Sequence, residues 1–130
     1  MISLCNIAEK NNISIDYFPM KRLEAFSMPN VIVINPNLVR TVRQNRECMA
    51  HELGHHLKNA FYRIDSTLET RARQEERATR WAVQELVPKA ELQAAIKKGY
   101  TEIWQLAEYF DVSYEFMTDA IRVHKLKKNI

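Results

Sequence analysis

The segment Ala50-His51-Glu52-Leu53-Gly54-His55-His56-Leu57 sits within Val42 to Lys58, where apolar residues return at helical rather than alternating spacing. His51 and His55 are four residues apart, which places them about 40° from each other around a helix. Both imidazoles can therefore reach one metal ion, and Glu52 lies close enough to act on a water bound to it. Two imidazole ligands and a general base on one helical turn form a zinc-hydrolase arrangement. On the same helix Val42, Met49, Leu53, Leu57 and Ala60 fall on one face, and the two histidines project from nearly the opposite side. Gly54 in mid-helix costs about 1 kcal/mol relative to alanine, so the close approach of another backbone is its expected purpose.

A catalytic zinc takes three protein ligands and leaves its fourth position to water. The second long helix, about Leu68 to Leu86 and ended by Pro88, offers the third. Leu68, Ala72, Ala78, Thr79, Ala82 and Leu86 form a narrow stripe of small and apolar side chains with Glu75 in its middle. Glu76 is turned about 100° away, toward Arg73 and Arg80, where a carboxylate is simply solvated. An unpaired carboxylate on a packing face is costly, and coordination removes the cost. The expected site is thus one Zn2+ held by His51, His55 and Glu75, with Glu52 as the base.

Outward from the motif the pattern changes. Met1 to Lys10 reads as a short amphipathic helix stopped by Asn11-Asn12, and Ile13 to Tyr17 alternates as a half-buried strand does. Ala25 to Met28 and Val31 to Asn35 are extended runs joined at Pro29-Asn30 as a hairpin, closed by Pro36-Asn37. A connection from Ala60 to Ser66 separates the two long helices. Glu91 to Lys98 forms a short helix stopped by Gly99, Thr101 caps another through Phe110, and Ser113 caps a last one to about Leu126. Early strands followed by a run of helices predict an α+β fold. The chain reads as one domain over 1–130, with the sheet and metal-site helices in 1–88 and further helices of 89–130 packed on them. The strand Val31 to Asn35 is expected to be an edge that pairs with an extended substrate backbone, which makes Val33, Ile34 and Asn35 candidate substrate-binding residues.

Composition narrows the function classes. The 130 residues are 46% hydrophobic and 27% charged, ordinary for a globular chain. Val31 to Ile34 is the longest apolar run of the amino-terminal half, too short to cross a bilayer, and no signal segment precedes it. Two cysteines make no disulfide scaffold, so a reduced, cytoplasmic setting is expected. Two glycines leave no phosphate-cradling loop. A net charge of +3 demands no nucleic-acid partner.

His51-Glu52-Leu53-Gly54-His55, followed by Glu75-x-x-Ala78-x-x-Trp81-Ala82-x-x-x-Leu86-x-Pro88, resembles the ImmA/IrrE family of metallo-endopeptidases. The twenty residues from His55 to Glu75 resemble the spacing of thermolysin-like zincins, in which a glutamate on the next helix completes the site. Arg46-x-x-x-Ala50-His51 and the strand Val31 to Asn35 fit the same pattern. The resemblance covers about residues 1 to 90 well and Leu106-Ala107-x-x-Phe110-x-Val112 more loosely. Trp81 stands where the family usually has phenylalanine, and Thr79 where an asparagine or aspartate would orient a ligand. The resemblance implies a small zincin-like domain and a zinc endopeptidase of the phage or mobile-element type. Its implied partner is a co-encoded helix-turn-helix repressor, which it would cleave.

Other readings stand beside this one. A non-catalytic protein could keep a structural zinc and titrate a regulator by binding it. Helices within 101–126 read superficially as helix-turn-helix, but residues 101 to 121 hold five acids and no lysine or arginine, the wrong sign for phosphates. Tyr62 and His124 are the two candidates for stabilising a tetrahedral intermediate, and the sequence selects neither. His124, in a basic tail, is expected at the surface, with that tail complementing the last helix terminus. His56 lies off the ligand face. Cys48, one turn before His51, reads as a small buried residue, with a thiolate near the metal as a side hypothesis. Arg40, Arg43 and Arg46 read as a solvated helix start with Arg46 paired to a carboxylate.

Overall fold

The computed structural model describes residues 3–125. Ser3 caps α1 (Leu4–Lys10), its hydroxyl accepting from the Asn6 amide, and Asn12 at φ 56° turns the chain out. Three short strands follow: β1 (Ser14–Tyr17), β2 (Ala25–Met28) and β3 (Val31–Ile34). Asn30, with φ 69°, makes the two-residue β2–β3 turn, a conformation asparagine tolerates better than most residues. The helices are α2 (Val42–Leu57), α3 (Leu68–Leu86), α4 (Lys89–Lys97), α5 (Ile103–Phe110) and α6 (Tyr114–Val123). The fold is α+β, as the sequence pattern predicts.

Strand order corrects one expectation. The sheet runs β1-β3-β2, with β1 parallel and β2 antiparallel to β3. β3 is therefore central and is no edge for a substrate. Val33 and Ile34 are buried in it, and Asn35 spends its side chain internally, donating to the Met20 and Leu23 carbonyls at 2.8 and 2.9 Å. The uniform apolar run Val31 to Ile34 is the signature of a strand covered on both faces. On the side away from β3, β2 has no strand partner among the described residues.

Two buried clusters build the interior. Ile13, Ile32, Ile34, Met49 and Leu53 unite sheet, α1 and α2. Val83, Val87, Leu92, Leu106 and Met117 unite the end of α3 with α4, α5 and α6. α3 is the main packing partner of α2 and joins the two. Because α2 meets the sheet on one side and α3 on another, Met49, Ala50, Glu52, Leu53, Gly54 and His55 are all buried. Its expected single apolar face does not extend to Val42, which is 83% exposed. Likewise Leu68, 81% exposed, and Ala72 fall outside the packing stripe of α3, which narrows to Ala78, Ala82 and Val83.

Element ends shift by a few residues. α4 starts at Lys89, directly after Pro88, whose fixed φ suits a helix start. α5 is capped by Glu102 rather than Thr101, in a box with Gln105. α6 ends at Val123; the expected extension to Leu126, the tail 126–128 and Ile2 of the first helix lie outside the described residues. Arg122, counted with the tail, pairs with Glu76 of α3 at 2.7 Å and leans on Asp119.

Polar clamps tie α5 and α6 to the start of α2. Arg43 pairs with Asp111 at 2.8 Å, and Arg46 donates to the Phe110 and Asp111 carbonyls at 2.8 and 2.6 Å. Asp111 takes the left-handed conformation (φ 55°) between the helices. Glu47 accepts from the Ser113 amide and hydroxyl at 2.6 and 2.8 Å. A carboxylate thus occupies the end of α6 that a recognition helix would offer to DNA, which disfavours the helix-turn-helix reading.

Candidate metal centre

α2 presents His51 and His55 toward Glu75 of α3. His51 Nε2 lies 2.7 Å from Glu75 Oε1, and His55 Nε2 lies 3.2 Å from Glu75 Oε2. The ligand-type atoms of these three residues lie within 4.8 Å of one another, a group that could hold a metal ion. Glu76 points elsewhere, to Arg80 at 3.1 Å and Arg122, so the choice between adjacent glutamates follows the packing stripe. Two facing helices bring the three groups together, and Gly54 lets those helices meet. A Cβ built there would stand 2.5 Å from the Ala78 carbonyl oxygen of α3.

The donor set fits a divalent cation. His55 Nδ1 lies 2.7 Å from the Ala60 carbonyl, which can only accept, so Nδ1 carries a hydrogen. That leaves Nε2 to hold either a proton or a metal, the arrangement in which a backbone carbonyl fixes a ligand's tautomer. Two imidazoles and one carboxylate make a three-donor set with a fourth position free for solvent or substrate.

Electrostatics agree. Hydrogen bonds from His51, then His55, hold the Glu75 carboxyl well below the usual carboxylate range, with Tyr62 adding to them. For His55, burial is the largest influence and opposes the charge. Its bonds to Glu75 and the Ala60 carbonyl outweigh burial and raise it above the ordinary 6.5. A proton on Nε2 therefore competes with a metal at higher pH than it would on a free imidazole, while Glu75 stays anionic. Affinity for Zn2+ is expected to fall as pH drops through the raised His55 pKa, approaching about tenfold per unit below it for that one proton. Chelator-competition titrations at several pH values test this, and a flat profile would overturn the assignment of His55.

The remaining candidates separate cleanly. Glu52, buried beside the pair, accepts from Ser27 Oγ of β2 at 2.6 Å. Nothing in the spacing marked Ser27, because its link to Glu52 comes from β2 lying against α2. Tyr62 joins the site, its hydroxyl donating to Glu75 Oε2 at 2.8 Å. The connecting segment is held from α3, where Arg71 donates to the Ile64 carbonyl and Arg77 to that of Lys58. His124 does not join the site and is not at the surface. It is buried, 2.7 Å from the Val87 carbonyl, twelve residues or about 18 Å of helix beyond Glu75. His56 packs against Phe61 instead. Cys48 is not among the ligand-type atoms that converge, and without a metal, burial first and then Glu52, Glu24 and Glu47 push its thiol pKa up to about 12, which disfavours a thiolate there.

A histidine pair on one helix facing a carboxylate on the next, with a buried glutamate between the histidines and a small sheet alongside, defines a metallopeptidase of the zincin kind. The chain belongs to the peptidase M78 family, whose IrrE N-terminal-like domain matches residues 6–122. No curated protein and no solved structure matches it. Among the described residues no helix is long and apolar enough to cross a membrane.

Proposed function

We propose that the protein is a cytoplasmic zinc endopeptidase that cuts a regulatory protein, with one Zn2+ held by His51, His55 and Glu75. The target suggested by family resemblance is a helix-turn-helix repressor encoded beside it on a phage or mobile element. The observation that carries the reading is the convergence of three ligand-type atoms within 4.8 Å, next to a buried glutamate.

When bound, zinc would supply Lewis acidity, lowering the pKa of water and polarising a carbonyl. Glu52 takes the proton from the attacking water and passes it to the leaving amine. Ser27 holds one Glu52 oxygen and so aims the other into the cleft. Of the two edge strands, β1 and β2, it is β2 that passes directly beside Glu52 and so offers its edge to an extended substrate. Edge pairing requires a locally unfolded substrate, which favours an interdomain linker. Tyr62 is the better placed of the two candidates for stabilising a tetrahedral intermediate, since it already reaches Glu75.

The test is incubation with the neighbouring regulator, with and without chelator, read by mass. Fragments that appear with zinc and vanish with chelator are expected. Stable association without fragments would favour a non-catalytic binder instead.

A further inference from the structure

The groove along β2 is chemically asymmetric. One cavity, of about 280 Å³, is walled by Leu23, Phe26, Phe61 and Tyr62 and reaches Glu52, His55 and Glu75. A second, of about 390 Å³, is walled by Glu24, Gln44, Glu47 and Cys48 and reaches His51 and Glu52. Both contain Ala25 and Glu52, so they meet at the candidate centre from opposite sides. Their order follows α2. Gln44, Glu47, Cys48 and His51 precede Glu52 in the second cavity, while His55 follows it in the first. The eight residues from Glu47 to His55 rise about 12 Å along the helix, the length of about four residues of extended chain, so a peptide laid beside α2 passes both cavities within two or three residues of the bond cut.

The walls differ in what they stabilise. The first buries ring and aliphatic surface and suits an apolar side chain. The second has no lysine or arginine in its wall. Glu47 accepts from the Ser113 amide and hydroxyl at the start of α6, which offsets only part of its charge, and no lysine or arginine of the wall pairs with it. Glu24 is exposed at the rim. The negative field there is felt by Cys48, whose thiol Glu52, Glu24 and Glu47 all hold protonated beyond the effect of burial.

We infer that the cleft reads two side chains of its peptide: an apolar or aromatic one between Phe26, Phe61 and Tyr62, and a lysine or arginine beside Glu24 and Glu47, on opposite sides of the scissile bond. The inference rests on the endopeptidase reading and names the substrate class for it. Like charge in the second cavity is repelled, so discrimination comes from both attraction and rejection.

The test is a randomised library of unstructured peptides incubated with zinc-loaded protein, with cleavage sites read by mass. Bonds flanked by an apolar residue on one side and a basic one on the other are expected at least about tenfold over the same bonds with an acidic residue there. Glu24→Lys should reverse the charge preference, and Glu24→Gln should weaken it to about threefold or less. Cleavage with no charge preference, or one that both variants leave unchanged, overturns the inference. If nothing is cut, the hydrolase reading falls, and enrichment of the same library on immobilised Glu52→Gln protein decides the rest. Retention of apolar–basic peptides, reversed by adding Glu24→Lys, upholds the specificity as a binding rule, and no enrichment overturns it too.

Discussion

Glu52→Gln protein is expected to retain zinc at wild-type stoichiometry while losing peptide hydrolysis by about three orders of magnitude, the middle of the range for a general base. The substitution keeps size and shape, and its amide oxygen can still accept from Ser27 Oγ, now 2.6 Å from Glu52. What it removes is the ability to take a proton. His51→Ala should behave differently and lose metal and cleavage together, because it deletes one of three donors. Metal analysis alongside a chelator-controlled cleavage assay separates the two outcomes. Equal cleavage by Glu52→Gln and wild type would falsify the role of Glu52 while leaving the metal site intact.

Gly54→Ala is expected to destabilise the metal-free protein by roughly 2–4 kcal/mol, as overpacking against an unyielding neighbour does. At an open helical position the same change stabilises by about 1 kcal/mol. The sign reverses because the new Cβ would stand 2.5 Å from the Ala78 oxygen and 2.9 Å from its Cα, backbone atoms that no rotamer change can move. Relief requires α2 and α3 to separate. Glu75 is less than one turn before Ala78, so the separation that relieves the clash also draws Glu75 from His51 and His55. Zinc affinity should therefore drop at least about tenfold, in step with the shared packing. Urea unfolding and zinc titration measure the two effects, and a stabilised variant with unchanged affinity would refute the coupling.

The two predictions probe features of different legibility. The histidine pair and Glu52 could be read directly, because helical geometry converts a spacing of four residues into neighbouring side chains. Glu75 could be chosen over Glu76 because a helix has one packing face, and a carboxylate within it needs a partner. Gly54 was legible for a similar reason, since a mid-helix glycine is costly unless something approaches closely. Each of these inferences depends on a single element and its period.

Errors arose where two elements had to be placed relative to each other. The run Val31 to Ile34 is a strand, but its position between β1 and β2 depends on pairings spread across twenty residues. Hence the sheet edges belong to β1 and β2 rather than to Val33, Ile34 and Asn35. Val42 and Leu68 share the period of their helices' apolar faces, yet each is left exposed at the first turn of its helix. His124 looks like tail in the sequence and is a buried histidine because Val87, at the far end of α3, turns a carbonyl toward it.

Local periodicity and the chemistry of residue types thus carried the α+β character, the meeting of His51, His55 and Glu75, and the glutamate between the histidines. Tertiary packing alone decided which strands lie at the sheet edges, that Ser27 and Tyr62 reach Glu52 and Glu75, and that the groove is greasy at one end and acidic at the other. The physical reason is range. Helical and strand periods act over a few residues, whereas sheet order and the meeting of α2 with β2 depend on burying surfaces far apart along the chain, which no spacing encodes.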